Sequence, residues 1–513
     1  MFKRRASSGR MVLLELDGGS SEPLYRQVYA AVRGRILDGV LGAGVALPST
    51  RALASDLSVS RSTVILAYEQ LRAEGYVEGR MGAATRVCAS LPDRHVRAHA
   101  PAERRSGLHT GRASSRGRAV TEVPRVLDVL GRPPRAFRIA VPAVDMFPVD
   151  TWGRILARRW RRTPARALAY GDPLGYLPLR EAVAAYLGSA RGVRCSAEQV
   201  MIVGGSQEAL DLTCRVTLDP GDAAWLEDPG YFGARGALAA AGATVVPVPV
   251  DGDGMIVQRG IRQAPHARLA FVTPARQLPL GVTLSLTRRL ELVEWARGAG
   301  AWIIEDDYDS EFRYSGRPLA ALQGLDPDGS VIYMGTFSKV LFPSLRLGYV
   351  VIPPSLVDAF GAMKQFASYS SPYLEQAVLA DFITEGHFER HIRRTRAMYR
   401  DRQQLLVERA RAELDGRLAV SPSDAGMTLI GWLPAGSSDV AVAQAARARN
   451  VDVFPLSGFA THPIRPGLLL GYAGVREDDI REGVSNLARA LDDCARGSAS
   501  ARPLAARTIT QGA

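Results

Sequence analysis

Residues 335–351 read GTFSKVLFPSLRLGYVV. Here Lys339 stands just after a strand end, inside a Thr-x-Ser-Lys cluster, and Arg346 follows seven residues later. A lysine amine that holds an aldehyde as an imine needs hydroxyl donors and a guanidinium close by if that aldehyde also carries a phosphate dianion. Lys339, Thr336, Ser338 and Arg346 supply such a set. A Ser-Lys pair alone says nothing, because most lysines are solvated surface groups, so the surrounding segments decide.

Three of them agree. In AWIIEDDYDSEF (301–312) a buried strand ends in acids, and Asp306 and Tyr308, two apart, project to one side while the chain stays extended. Asp306 suits a protonated pyridine nitrogen, and the Tyr308 hydroxyl suits a phenolate oxygen. Their neighbours Glu305, Asp307 and Asp309 read as caps or surface pairs. VMIVGGSQEALDL (200–212) runs strand, Gly-Gly-Ser, helix, and so offers the amides of Ser206 and Gln207 to a phosphate at a helix N-terminus. EDPGYF (227–232) puts Tyr231 after a strand, where its ring either stacks on a pyridine or fills the core; YGDPLGYLPLREAVAAYL (170–187) offers Tyr170 likewise. The cofactor these residues describe is pyridoxal 5'-phosphate.

Outward from the lysine, short apolar strands such as RLAFVTP (268–274) alternate with amphipathic stretches such as LTRRLELVEWARGAG (286–300). That alternation predicts an α/β domain around a mostly parallel sheet over 139–495, closed by a small α+β C-terminal subdomain that starts with a long charged helix. Residues 1–20 read as a basic N-terminal tail, 89–138 as a flexible Arg/Ser-rich linker with no apolar period, and 496–513 as a C-terminal tail.

Residues 21–88 form a second module. In PLYRQVYAAVRGRILDGVL (23–41), Leu24, Val28, Ala31, Val32, Ile36 and Leu37 recur at helical spacing. In LPSTRALASDLSVSRSTVILAYEQLRAEGYV (47–77), Ser49 or Thr50 caps a short helix, a tight turn follows Leu57, and Ser60 caps a second helix. That second helix opens with Ser60, Arg61, Ser62 and Thr63, groups suited to phosphates and base edges, and buries Val64, Ala67, Tyr68 and Leu71. EGYVEGRMGAATRV (74–87) adds two short extended pieces, a wing whose Arg80 is placed to reach the DNA backbone or the minor groove. The DNA-facing set is therefore Ser49, Arg51, Ser60, Arg61, Ser62, Thr63 and Arg80.

PSTRALASDLSVSRSTV and AYEQLRAEGY resemble the GntR-family winged helix-turn-helix, which implies binding of a double-stranded operator as a homodimer; AATRV departs from the family's glycine-rich wing ending. The larger part resembles the fold type I aminotransferases. That resemblance implies that Lys339 is the Schiff-base lysine, Asp306 the pyridine partner, Tyr308 the phenolate partner, Arg346, Thr336 and Ser338 phosphate ligands, and Tyr170 a phosphate ligand of the other subunit. The fusion of both modules, with IIEDDYDSEFRY and FSKVLFPSLRLGY, resembles the MocR/GabR subfamily of GntR regulators.

Two functions follow. One is a transcriptional regulator whose effector is pyridoxal phosphate, alone or as an aldimine with an amine or amino acid at Lys339, shifting the dimer between states. The other is an active aminotransferase with an appended DNA-binding domain. A transaminase of this fold binds the substrate carboxylate through a late-strand arginine, where LLLGYA presents Leu469 with Arg465 displaced, and many place an asparagine where ARQLPLG has Leu278. Both departures favour the regulator. A third possibility makes the helix-turn-helix a dimerisation module only. The +12 net charge suits an anionic partner, and the four scattered cysteines suggest neither disulfides nor a metal site. No apolar run nears the roughly 18 residues of a membrane span, and the basic opening lacks a secretory pattern, so a cytoplasmic protein is expected.

Overall fold

A computed structural model describes residues 3–8, 11–17, 19–79, 84–91, 112–123, 135–316 and 319–500. The chain divides into two compact units, 1–111 and 112–513. Arg80, most of the stretch read as a linker, and residues 501–513 lie outside the described residues.

In the first unit the helix Leu24–Leu37 buries Val28, Val32 and Ile36 at helical spacing. The helix Thr50–Leu57 is capped by Ser49, whose hydroxyl accepts the Ala52 amide at 3.2 Å, so Ser49 and not Thr50 is the cap. The turn passes through Ser58 at φ +52°, and the helix Arg61–Ala73 then buries Val64, Ala67, Tyr68 and Leu71. All four pack into one small core with Leu53 and Leu57. Residues 1–20 differ from the tail expected there. They hold two antiparallel strands, β1 (Lys3–Ser8) and β2 (Met11–Asp17), and the Asp17 amide donates to Gln27 Oε1 at 2.9 Å, tying the hairpin to the first helix. The wing is the antiparallel pair β3 (Val77–Glu78) and β4 (Arg86–Val87).

The second unit is built on an eight-stranded mixed sheet. Its strands are β5 (Val200–Val203), β6 (Ala223–Asp228), β7 (Thr244–Asp251), β8 (Gly254–Met255), β9 (Leu269–Val272), β10 (Trp302–Asp307), β11 (Val331–Thr336) and β12 (Gly348–Val351). Their order is β5-β12-β11-β10-β9-β6-β7-β8, with the five strands from β11 through β7 mutually parallel and β12 antiparallel to both neighbours. Alternate residues feed opposite faces. Ile304, Ile332 and Val350 meet the helices Ser206–Thr217 and Phe232–Ala241 on one side, while Ile303 and Val331 meet the helix Leu286–Ala299 on the other. Burial on both faces explains why these strands read as continuous apolar runs.

The small subdomain follows the long helix His387–Glu413. It is an antiparallel sheet in the order β13-β14-β16-β15, made of β13 (Ala419–Val420), β14 (Thr428–Trp432), β15 (Phe454–Pro455) and β16 (Gly467–Gly471), with the helices Asp439–Ala448 and Glu477–Ser500. The stretch 89–138 is not all linker. Residues 115–122 are helical, and Phe137 is fully buried with its carbonyl accepting the Gly471 amide at 2.8 Å. Arg138 forms a buried ion pair with Asp452. Likewise the last helix runs to Ser500, into the range read as a tail. Among the described residues no helix is long and apolar enough to cross a membrane, and no cluster of His, Cys, Asp and Glu could hold a metal.

Candidate functional site

The parallel strands end at one edge of the sheet, and the loops beyond them enclose a cavity of about 450 Å³. β10 delivers Asp306, and the turn after it delivers Tyr308 and Asp309; β11 ends at Thr336, and Lys339 follows. The helix after β5 opens with Ser206 and Gln207, and the segment after β6 brings Tyr231. Seven of the ten cofactor residues expected from the sequence, Lys339, Asp306, Tyr308, Thr336, Ser206, Gln207 and Tyr231, therefore line one cavity.

The loop geometry is set by residues that tolerate it. Gly205 has φ +113°, a value that L side chains rarely adopt, and an added Cβ would stand 3.2 Å from Arg346 Nη1. Arg346, itself at φ +51°, thus lays its guanidinium against the Gly-Gly-Ser turn. Ser338 is buried and its amide donates to Thr336 Oγ1 at 3.2 Å. Tyr170 is elsewhere: it is 84% exposed and its ring packs on Tyr369 with centroids 4.7 Å apart.

Burial dominates the electrostatics. Desolvation, reinforced by Asp307, pushes the Asp306 carboxyl up to about 7, with Lys339 opposing the shift. Desolvation also lowers the Lys339 amine below the ordinary lysine range, against the pull of Asp306 and Asp309, and its Nζ donates to the Ala140 carbonyl at 3.1 Å. Tyr308 is raised well beyond the usual tyrosine range by burial, then by Asp309, so it remains a hydroxyl donor. Tyr231 is pushed up to about 12, again chiefly by burial, and accepts a hydrogen bond from Gln207 Nε2 at 2.9 Å.

Asp306 Oδ1 and Ser338 Oγ are buried with no hydrogen-bond partner. Leaving such atoms unpaired costs of order 1–3 kcal/mol each, more for a charge; Asp306 lines the cavity, and Ser338 lies in the chain between its lining residues Thr336 and Lys339. A carboxylate oxygen and a hydroxyl, beside a lysine and a guanidinium, fit the ring nitrogen, phosphate and aldehyde of pyridoxal phosphate.

Sequence reasoning missed Arg276. Its Nη1 lies 3.4 Å from Asp309 Oδ2 and 3.5 Å from the Tyr308 hydroxyl, and its Nη2 donates to the Thr428 carbonyl at 2.6 Å. It thereby fixes Tyr308 and joins the two subdomains of the large unit. The acids beside Asp306 are buried, not surface groups: Asp307 pairs with Arg191 at 2.7 Å, and Glu305 accepts the Leu322 and Gln323 amides at 2.8 Å. Leu278 and Leu469 both line the cavity, whereas Arg465 lies outside it, over the Trp432 ring at 5.1 Å.

In the DNA-binding unit, the Ser60 hydroxyl accepts the Thr63 amide at 3.1 Å, and Ser62 Oγ lies 2.7 Å from Ser60 Oγ. Arg51, Arg61 and Ser62 are exposed, and Arg61 Nε reaches Thr50 Oγ1 at 3.4 Å. Leu66, half exposed one turn after Ser62, was not anticipated; its apolar side chain suits contact with a thymine methyl.

A winged helix-turn-helix joined to a lysine-bearing cavity of this kind defines a DNA-binding protein built onto an aminotransferase fold. Residues 24–87 match the bacterial regulatory proteins of the gntR family, and residues 148–487 match aminotransferase class I and II. The chain belongs to the MocR-type transcriptional regulators, which join these two domains. It is 42% identical to MocR of Rhizobium meliloti, a probable rhizopine catabolism regulatory protein, over 93% of this chain and 96% of that one. It is 31% identical to PdxR of Corynebacterium glutamicum, a pyridoxine biosynthesis transcriptional regulator, over 74% of this chain and 78% of that one. Among solved structures it resembles LysN, the alpha-aminoadipate aminotransferase of Thermus thermophilus complexed with N-(5'-phosphopyridoxyl)-L-leucine, with TM-score 0.68 and 30% identity over 74% of this chain and 98% of that one.

Proposed function

We propose that this regulator holds pyridoxal 5'-phosphate at Lys339 and that the cofactor, alone or joined to an amine or amino acid, is the signal that changes its grip on operator DNA. The observation that carries this reading is the unpartnered buried oxygen of Asp306 in the cavity that Lys339 lines, with a second one, Ser338 Oγ, on the residue just before that lysine. A pyridoxine biosynthesis regulator among the relatives supports the cofactor as a signal.

When bound, the cofactor supplies an aldehyde carbon that exchanges between one amine and another. The chain does the rest. Lys339, with its amine's pKa depressed by burial, is more often neutral and nucleophilic than a surface lysine. Asp306 pairs with a protonated ring nitrogen, and Tyr308, anchored by Arg276, donates to the ring oxygen. Ser206, Gln207, Thr336, Ser338 and Arg346 hold the phosphate. Leu278 and Leu469 leave that cavity without two polar groups that turnover would employ, which favours sensing over transamination.

Ser49, Arg51 and residues 60–63 meet the operator, which two copies of the chain bind as a homodimer in the cytoplasm. Tyr170, exposed in one chain, reaches the phosphate of the other copy. Differential affinity of the two dimer states for the cofactor or its amine adduct is what shifts operator binding.

Titration of the purified protein with pyridoxal phosphate tests this directly. Wild type is expected to gain the absorbance of a lysine-bound imine. Lys339→Ala should lose both that band and the response of operator binding, while keeping its circular dichroism and basal DNA affinity. An unchanged operator response in Lys339→Ala overturns the proposal.

A further inference from the structure

Two independent features of the cavity define what joins the cofactor there. The first is its outer wall. The helix Ser115–Glu122, with its C-terminal residue Val123, carries mostly exposed residues; only Val120 and Val123 are partly covered, and both line the cavity. Val123 Cγ1 stands 4.0 Å from where a Cβ on Gly236 would lie, and Arg116 packs beside Gly242, so the helix rests along the helix Phe232–Ala241. This short helix lies in the stretch that joins the DNA-binding unit to the large one. Eight residues with two apolar contacts do not form a stable helix alone, so it is held by the surface it rests on, the helix Phe232–Ala241 and the rim of the cavity.

The second feature is charge. Among the described residues that line the cavity, Lys339 is the sole cation, and Asp306 and Asp309 are both present. Arg276 does not line the cavity and holds Asp309 and Thr428 through its Nη atoms, with Nε unpartnered, and Arg465 lies outside. The wall facing the lysine is apolar: Ile139, Phe232, Leu278, Met427, Phe459 and Leu469. A ligand carboxylate placed against this apolar wall would be desolvated and would stand near Asp309.

Resting on the proposed binding of pyridoxal phosphate at Lys339, we infer that the ligand joined to it is a primary amine with an apolar, uncharged substituent and no carboxylate, seated against Val120 and Val123 of the connecting helix. In the exchange, the ligand nitrogen forms its C=N bond to the cofactor carbon as the bond to Lys339 Nζ breaks. The ligand nitrogen, going from ammonium to protonated imine, gives up two hydrogens, and Lys339 Nζ, going from protonated imine to released ammonium, takes up two; nothing is oxidised or reduced. The substituent then extends the apolar surface on which the two valines rest, so occupancy is felt in the segment leading to the DNA-binding unit.

The test uses the full-length protein loaded with pyridoxal phosphate and two matched pairs of probes: 3-methylbutylamine against leucine, and phenethylamine against phenylalanine. Each pair differs by one carboxylate. Absorbance reports imine exchange, and trypsin cleavage at Arg116 and Arg118 reports docking of the helix. Each amine is expected to half-saturate at least about ten-fold below its amino acid, and to slow cleavage at both arginines. Val120→Asp should weaken the amines by about ten-fold or more and abolish the protection, with the cofactor band intact. Val120→Ala is the milder variant that keeps the test valid should the aspartate disturb folding.

Amino acids that exchange as well as their amines overturn the inference, as does a Val120 variant with unchanged amine affinity and cleavage. Both outcomes leave the cofactor band in place, and so leave the proposed function standing. Absence of any cofactor band overturns both.

Discussion

At the start of the helix Arg61–Ala73 and around the cavity that Lys339 lines, similar polar groups stand in opposite situations. The Ser60 hydroxyl is exposed yet already accepts the Thr63 amide, and Ser49 does the same for Ala52. The Ser338 hydroxyl is buried and accepts nothing, and Asp306 keeps one oxygen unpaired at 5% exposure. Water satisfies the exposed groups, so they carry little information about a ligand. The buried groups have no such substitute, so each carries a cost that a ligand bound there, as proposed, would remove. The serines at the helix starts are thus arranged by capping, whereas Asp306 and Ser338 are left incomplete.

The sharpest way to break this contrast is at Asp306. On the proposed role of Asp306 at a cationic ring nitrogen, Asp306→Asn should lower cofactor affinity by about 100-fold, read by titration of the imine band. The cofactor-free protein supplies a second readout. Because the carboxyl is raised to about 7, folding favours its protonated form; that contribution is present below the usual carboxylate range and is lost as pH rises through about 7. Melting temperatures of the cofactor-free wild type should therefore fall between mildly acidic and mildly alkaline pH, and less steeply in Asp306→Asn. Identical slopes would show that Asp306 is not held in this way.

Arg61 tests the other side of the comparison. It is exposed at the start of the recognition helix, and its loss should weaken operator binding roughly ten-fold and reduce the slope of log affinity against log salt by about one. The imine band should not change. An Arg61→Ala protein with an unaltered salt slope would remove this residue from the phosphate contacts.

The same contrast governs what could be read without coordinates. Lys339, Asp306, Tyr308, Thr336 and Ser206 were legible because each follows a strand whose apolar run is itself legible, so chain order alone brings them to one sheet edge. Arg276 was not, since its partners Asp309 and Thr428 are 33 and 152 residues away and nothing local marks the meeting. Val120 and Val123 escaped because two valines among Arg, Ser and Thr make no period; their contacts come from the large unit. The hairpin of residues 3–17 was hidden for a related reason, as KRRASS shows none of the apolar alternation that marks a strand. Patterns report burial, and the helix Ser115–Glu122 has no fully buried residue of its own.

Ser60 offers the smallest effect and the finest discrimination. Its hydroxyl is committed to the Thr63 amide and lies 2.7 Å from Ser62 Oγ and Thr63 Oγ1, so it orders the first turn of the helix whether or not DNA is present. Loss of an N-cap of this type costs about 1 kcal/mol. Ser60→Ala should therefore lower the stability of the first unit by that amount, seen as faster amide exchange in residues 61–73, and leave the cofactor band untouched. Restoring the cap with Ser60→Asp should recover the exchange protection, because the carboxylate accepts the same amide and suits the helix dipole. It should not recover DNA affinity, because it sets a negative charge beside phosphates. If the aspartate variant bound operator as well as wild type, position 60 would act only through the helix, and the contact surface would begin at Arg61.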